Sequence, residues 1–196
     1  MDVAIDVLSR ELPVVGRGCG DGYAWVELRE CTIYGCYISP NTTIETSEAY
    51  LHELHTDMMR HEMPLIIAGD FNAKSPMWSS PAEGRRGAIL TDWIEQKDLT
   101  ILNRGDRPTF ERNGRGSFID LTMCTTDMAC KVGDWRVLRE ETLGCHKILG
   151  YTIKDVEDAV LCRTKFNGWK ITEETIESFR EHLKHNMEGR TTKEGG

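Results

Sequence analysis

The chain has 196 residues, a net charge of −8, 39% hydrophobic and 29% charged residues. That length and balance suit one globular domain with a full core and exclude a chain disordered throughout. No apolar run approaches the roughly 18 residues of a membrane helix, and the seven cysteines include no Cys-x-x-Cys pair, so zinc and dithiol motifs are not expected.

The first residues, Met-Asp-Val-Ala-Ile-Asp, have no basic start and do not read as a signal peptide. Together with irregularly spaced cysteines, this predicts reduced thiols in an intracellular protein. Residues 23–28 (Tyr-Ala-Trp-Val-Glu-Leu) and 32–38 (Thr-Ile-Tyr-Gly-Cys-Tyr-Ile) predict two strands joined by a polar turn at Arg29 and Glu30. Pro40 and Asn41 end the second strand. Leu51, Leu54 and Met58 recur at steps of three and four and predict a helix over about 47–61. Glu48 falls in its first turn, where the helix dipole favours an acid, and Pro64 stops it.

Leu65-Ile66-Ile67-Ala68 is short and wholly apolar, as expected of a strand buried on both faces. It delivers Gly69-Asp70-Phe71-Asn72 to its C-terminal end. A Ser/Pro/Gly-rich loop covers 74–84, and Ile89, Leu90, Trp93 and Ile94 predict a second helix over about 87–97. Short strands are expected at 99–102, 108–110, 118–122, 132–138 and 147–153, with Gly114-Arg115-Gly116 as a turn. This succession predicts a mixed α+β sandwich rather than a wound βαβ sheet. Past Lys154 the periodicity weakens. The domain is therefore drawn at 1–154, and 155–196 as a linker-like extension with one helix over about 173–186, capped by Thr172.

Three polar features can carry chemistry. Asp70 and Asn72 leave a buried strand two positions apart, so strand alternation points both side chains the same way. Such a pair can hold a divalent ion, orient a water or bind a phosphate oxygen, and the same residue types also close ordinary turns. Asp120 sits between apolar Ile119 and Leu121, where an acid needs a partner, either an arginine or a histidine that it orients. His146 opens the last strand, as a member of such a pair or as an ordinary core or surface histidine. The acidic excess lies in residues 1–69, whereas 70–154 is close to neutral and holds Arg104, Arg107, Arg112 and Arg115. That cluster is either a solvated loop surface or a contact for a polyanion.

The order Gly-Asp-Phe-Asn-Ala, then Ser117-Phe118-Ile119-Asp120, then Gly144-Cys145-His146 resembles the endonuclease/exonuclease/phosphatase superfamily. Within it the sequence is most similar to the apurinic-like endonuclease domain of non-LTR retrotransposon polyproteins. Tyr37-Ile38-Ser39-Pro40-Asn41, Phe71-Asn72-Ala73-Lys74-Ser75 with Trp78, Arg86-Gly87, Leu102-Asn103, Pro108-Thr109-Phe110, Asp120-Leu121-Thr122 and Trp135-Arg136-Val137-Leu138 carry that resemblance, which spans about Gly20 to Ile153.

The resemblance implies a four-layer α/β/β/α sandwich and Mg²⁺-dependent hydrolysis of phosphoesters. By position it assigns Asp70 to orienting the attacking water and holding metal, Asn72 to the water or a phosphate oxygen, Asp120 to a hydrogen bond with His146, and His146 to the scissile phosphate. It implies chromosomal DNA as substrate, action in the nucleus, and derivation from a reverse transcriptase polyprotein. Arg104, Arg107, Arg112 and Arg115, with Trp78 and Ser117, would lie beside the duplex. Two positions depart from the pattern. Residues 1–22 hold no asparagine and no Gln-Glu metal motif, which implies an N-terminally truncated domain lacking its first strands. Cys145 replaces the family's aspartate, a soft donor ill suited to Mg²⁺. Together they imply a degenerate or weakly active enzyme; the alternatives are an inactive nucleic-acid-binding remnant and a phosphatase of small phosphoesters.

Overall fold

A six-stranded sheet organises the chain in a computed structural model that describes residues 3–9, 11–140 and 144–154. Its strands are β1 (Val14–Gly20), β2 (Tyr23–Leu28), β3 (Thr32–Tyr37), β4 (Leu65–Asp70), β5 (Leu99–Ile101) and β8 (Asp120–Thr125). They lie in the order β1-β2-β3-β4-β8-β5. Only β3 and β4 run parallel; α1 (Ile44–Met58) makes the crossover that a parallel pair requires. Thr43 caps it by accepting the Thr46 N–H at 3.2 Å. The second helix, α2, spans Arg85–Gln96. Two small ribbons complete the described residues: β6 (Phe110–Arg112) with β7 (Arg115–Ser117), and β9 (Val132–Val137) with β10 (Leu149–Ile153).

Strand alternation splits the core across the two faces of the sheet. On one face Tyr34, Ile67, Leu121 and Met123 pack with Leu51 and Leu54 of α1 and Leu90 and Ile94 of α2. Trp93 ties the helices together, donating its indole N–H to the Leu51 carbonyl at 3.2 Å. On the other face Ile66, Leu102, Cys124, Met128 and Val132 pack with Trp135 and Tyr151 of the β9–β10 ribbon. There the Trp135 indole donates to the Thr122 hydroxyl at 3.0 Å. Each fully buried aliphatic side chain contributes about 1.5–3 kcal/mol, so these two clusters carry most of the fold's stability.

The expected α+β class is found, built as a helical layer, a sheet and a β-ribbon among the described residues. Several boundaries differ from the sequence reading. Helix α1 begins earlier, at the Thr43 cap, and ends at Met58, before Pro64 is reached. Strand β1 was not expected. Arg115 and Gly116 belong to strand β7, and the turn sits one step earlier at Asn113-Gly114, with φ of 52° and 70°. Positive φ at both central residues is what a two-residue hairpin loop of type I′ requires. The chain divides at Leu161 into two units, and the helix expected over 173–186 lies outside the described residues.

Candidate active site

The site is gathered where β4 and β8 end together. Asp70 and Asp120 are the last register pair of that antiparallel ladder. Gly69 lets β4 approach β3 closely here, because a Cβ at this position would overlap the Cys36 carbonyl oxygen. Immediately after the strand, Asn72 takes φ 46°, a left-handed conformation that asparagine tolerates better than most residues. Its backbone N–H donates to Asp70 Oδ1 at 3.0 Å and its Nδ2 to Asp70 Oδ2 at 2.7 Å. Nδ2 also donates to the Ile38 carbonyl at 3.0 Å, which fixes the amide against the end of β3. The Asp-Asn pair thus closes a turn and orients a carboxylate at the same time.

Asp120 is held from its backbone. Thr109, fully buried, accepts the Ile119 and Asp120 N–H groups on its hydroxyl at 3.1 and 3.0 Å. His146 arrives because Phe110 pairs with it in an antiparallel bridge, flanked by Glu111 N–H to the Cys145 carbonyl at 2.8 Å and Lys147 N–H to the Thr109 carbonyl at 2.7 Å. The Phe110 ring meets the imidazole edge-on, with centroids 4.8 Å apart. The result is His146 Nδ1 at 2.9 Å from Asp120 Oδ1 and His146 Nε2 at 3.9 Å from Asp70 Oδ2. A carboxylate on Nδ1 favours the tautomer with its proton there, with Nε2 turned toward Asp70.

Burial and the nearby Asp120 charge push the Asp70 carboxyl up to about 6, against the hydrogen bonds from Asn72 and the His146 ring. Burial also raises Asp120, opposed by the Thr109 hydroxyl and His146. The imidazole therefore stabilises both carboxylates.

Ligand atoms of Asp70, Asp120 and His146 lie within 4.8 Å of one another, the group among the described residues able to hold a cation. Asp120 Oδ2 is buried without a hydrogen-bond partner, a hard donor that a divalent ion would satisfy. Two carboxylates and an imidazole therefore fit such an ion. Cys145, half-buried, is not in this group.

The arginines reach the surface. Arg112 and Arg115 are opposed across the tip of the β6–β7 hairpin, and exposed Arg107 donates to the Val137 carbonyl at 3.2 Å. Arg104 is also exposed, and Ser117 is half-buried, its carbonyl accepting the Thr109 N–H at 3.0 Å. Trp78 lies in the interior and not, as the resemblance implies, beside a duplex: it is 2% exposed, in a 3-10 turn (Pro76–Trp78), and its indole donates to the Ala73 carbonyl at 3.2 Å. Its ring belongs to the core and offers no face to a duplex. The sequence alone does not mark Thr109 and Asn103 as site residues. An asparagine directly after a short strand and a threonine after Pro108 are weak signals, since both are common in turns.

Residues 31–149 match the model of the endonuclease-reverse transcriptase family, and the chain belongs to that family. Among solved structures it is similar to the endonuclease domain of TRAS1, a telomere-specific non-LTR retrotransposon. Identity is 28%, coverage 76% of this chain and 70% of that one, and the TM-score 0.66. An AP endonuclease from Archaeoglobus fulgidus (15% identity, 69% and 66% coverage, TM-score 0.56) shares the fold. So does the 3′-5′ exonuclease NExo from Neisseria meningitidis (17%, 74% and 69%, TM-score 0.56). The fold is thus of the endonuclease/exonuclease/phosphatase type. No curated protein sequence matches the chain.

Proposed function

We propose that the chain is a divalent-cation-dependent DNA endonuclease of the retrotransposon type, with low turnover. The observation that carries this reading is His146, held by Asp120 at 2.9 Å through Nδ1 while Nε2 stands 3.9 Å from Asp70. That arrangement leaves one imidazole nitrogen and one carboxylate converging on a single small volume.

Phosphoryl transfer needs a positioned nucleophile and compensated oxygens more than covalent chemistry. Asp70 orients the attacking water and takes its proton. Asn72 locks the Asp70 rotamer through its two donors. Asp120 fixes the His146 ring, and Nε2 presents a proton to a non-bridging phosphate oxygen when the ring is protonated. Asp70 and Asp120 would hold Mg²⁺, which supplies charge stabilisation at the phosphoryl oxygens when bound. Turnover is low because Cys145 adds no hard donor to this set. Arg112 and Arg115 support the choice of a polyanion: like charges directly opposed across a ladder are destabilising on their own and are relieved by phosphates. A chromosomal substrate would place the activity in the nucleus, next to a reverse transcriptase encoded in the same polyprotein.

The test is nicking of supercoiled plasmid in Mg²⁺, in Mn²⁺ and in chelator. Slow nicking that needs the cation and disappears in His146→Ala is expected. Binding without cleavage, cleavage indifferent to His146, or hydrolysis confined to small phosphomonoesters would overturn the proposal.

A further inference from the structure

Strand β5 stops short of the site while its partner β8 reaches it. The β5–β8 register runs Leu99↔Thr125, Thr100↔Cys124 and Ile101↔Met123, and Leu102 N–H still donates to the Thr122 carbonyl at 2.8 Å. Beyond that point no β5 backbone faces β8. The Thr122 N–H and the Asp120 carbonyl would be left bare on this edge.

The Asn103 side chain takes the place of the missing strand. Its Oδ1 accepts the Thr122 N–H at 2.7 Å and its Nδ2 donates to the Asp120 carbonyl at 3.0 Å. A carboxamide carries a donor and an acceptor as a peptide does, so it extends the ladder by one rung without backbone. The next group along, the Asp120 N–H, is taken by Thr109. On the opposite edge the Phe71 N–H, just past β4, donates to the Ile119 carbonyl of the same peptide at 3.0 Å. The Asp120 peptide is thereby gripped from both sides. Its carboxylate meets His146 through Oδ1 at 2.9 Å, and the backbone that carries it sets where that bond can form.

We infer that Asn103 is a positioning residue: its carboxamide substitutes for absent β5 backbone, fixes the Asp120 peptide and thereby aligns the Asp120–His146 pair. The inference rests on the hydrolytic reading above. It predicts that Asn103 acts on kcat rather than on substrate binding, because it meets backbone and not the surface a duplex would cover.

The experiment compares wild type, Asn103→Ala, Asn103→Asp and Trp135→Phe in the full chain. Trp135→Phe is the control, since it removes a bond to Thr122 on the same strand without touching the Asp120 peptide. Plasmid nicking gives kcat and KM, and the ¹⁵N spectrum of the His146 ring is recorded at one fixed pH without cation. Asn103→Ala is expected to lower kcat at least tenfold with KM within twofold, and to move the His146 ring signals; Trp135→Phe should do neither. Asn103→Asp keeps an oxygen for Thr122 but no donor for Asp120, and should behave like the alanine variant. A kcat within twofold of wild type in Asn103→Ala, or recovery of wild-type kcat by Asn103→Asp, would overturn the inference. If wild type does not cleave DNA, the functional reading fails and the ring spectrum decides this one. Signals moved in Asn103→Ala alone support it, and signals unmoved in both variants overturn it.

Discussion

Asp70 and Asp120 face each other as the final pair of the β4–β8 ladder, and burial together with that second negative charge lifts the Asp70 carboxyl from 3.8 to about 6. Between those two pH values the folded chain binds more protons at Asp70 than the unfolded chain does. Asp70 is therefore most favourable to stability below pH 4, and that contribution is lost as pH rises through about 6. Asp70→Asn removes this dependence. Comparing denaturant unfolding at pH 4 and pH 7.5, the stability difference between variant and wild type should move in the variant's favour by on the order of 2 kcal/mol. A difference that stays flat across that range contradicts the raised carboxyl.

Thr109 answers two backbone N–H groups with one buried hydroxyl. Thr109→Val keeps the shape but orphans both donors, at a cost of about 2–4 kcal/mol in unfolding free energy. Thr109→Ser retains the oxygen and should lose far less. Equal losses in the two variants would mean that packing, not the hydroxyl, holds Asp120.

Trp78 is a core residue, so Trp78→Ala should lower stability by about 3–5 kcal/mol through the void it leaves. Under conditions where the variant remains folded, its affinity for duplex DNA should match wild type in fluorescence anisotropy. A selective loss of affinity with unchanged stability would return Trp78 to the binding surface.

The hairpin arginines make the opposite prediction. Arg112→Ala with Arg115→Ala should weaken DNA binding about equally for all sequences. The double variant should reduce the slope of log affinity against log salt by about 2, one for each lost phosphate contact. Stability should hold or rise slightly, because the two charges oppose each other across the strands. An unchanged slope would leave Arg112 and Arg115 as solvated surface.

Residues buried on both faces announced themselves. Leu65–Ala68 read as a strand because nothing polar interrupts it, and α1 and α2 read as helices from Leu51, Leu54, Leu90 and Trp93. Strand β1 is not legible in the sequence because Gly16, Gly18 and Gly20 interrupt the pattern of β-branched residues. Those glycines make room for neighbours: a Cβ on Gly18 would meet the Trp25 ring at 2.6 Å, a contact that only the folded chain reveals. The Asp70–Asn72 turn was legible from local spacing. The Asp120–His146 bond was legible only through family resemblance, since Phe110, from a third segment, delivers the histidine. Asn103 and Thr109 act on backbone atoms of β8, and no residue pattern encodes where one strand ends beside another.

Arg86 links the beginning of α2 to the loop after β3, donating to the Ser39 carbonyl at 2.8 Å and to the Thr42 carbonyl. The neighbouring Ile38 carbonyl receives the Asn72 amide. Fraying of one helical turn therefore reaches a residue that steers Asp70, while the sheet beneath stays paired. Warming should inactivate the chain before it melts, with the loss of cleavage preceding the loss of circular dichroism along the temperature axis.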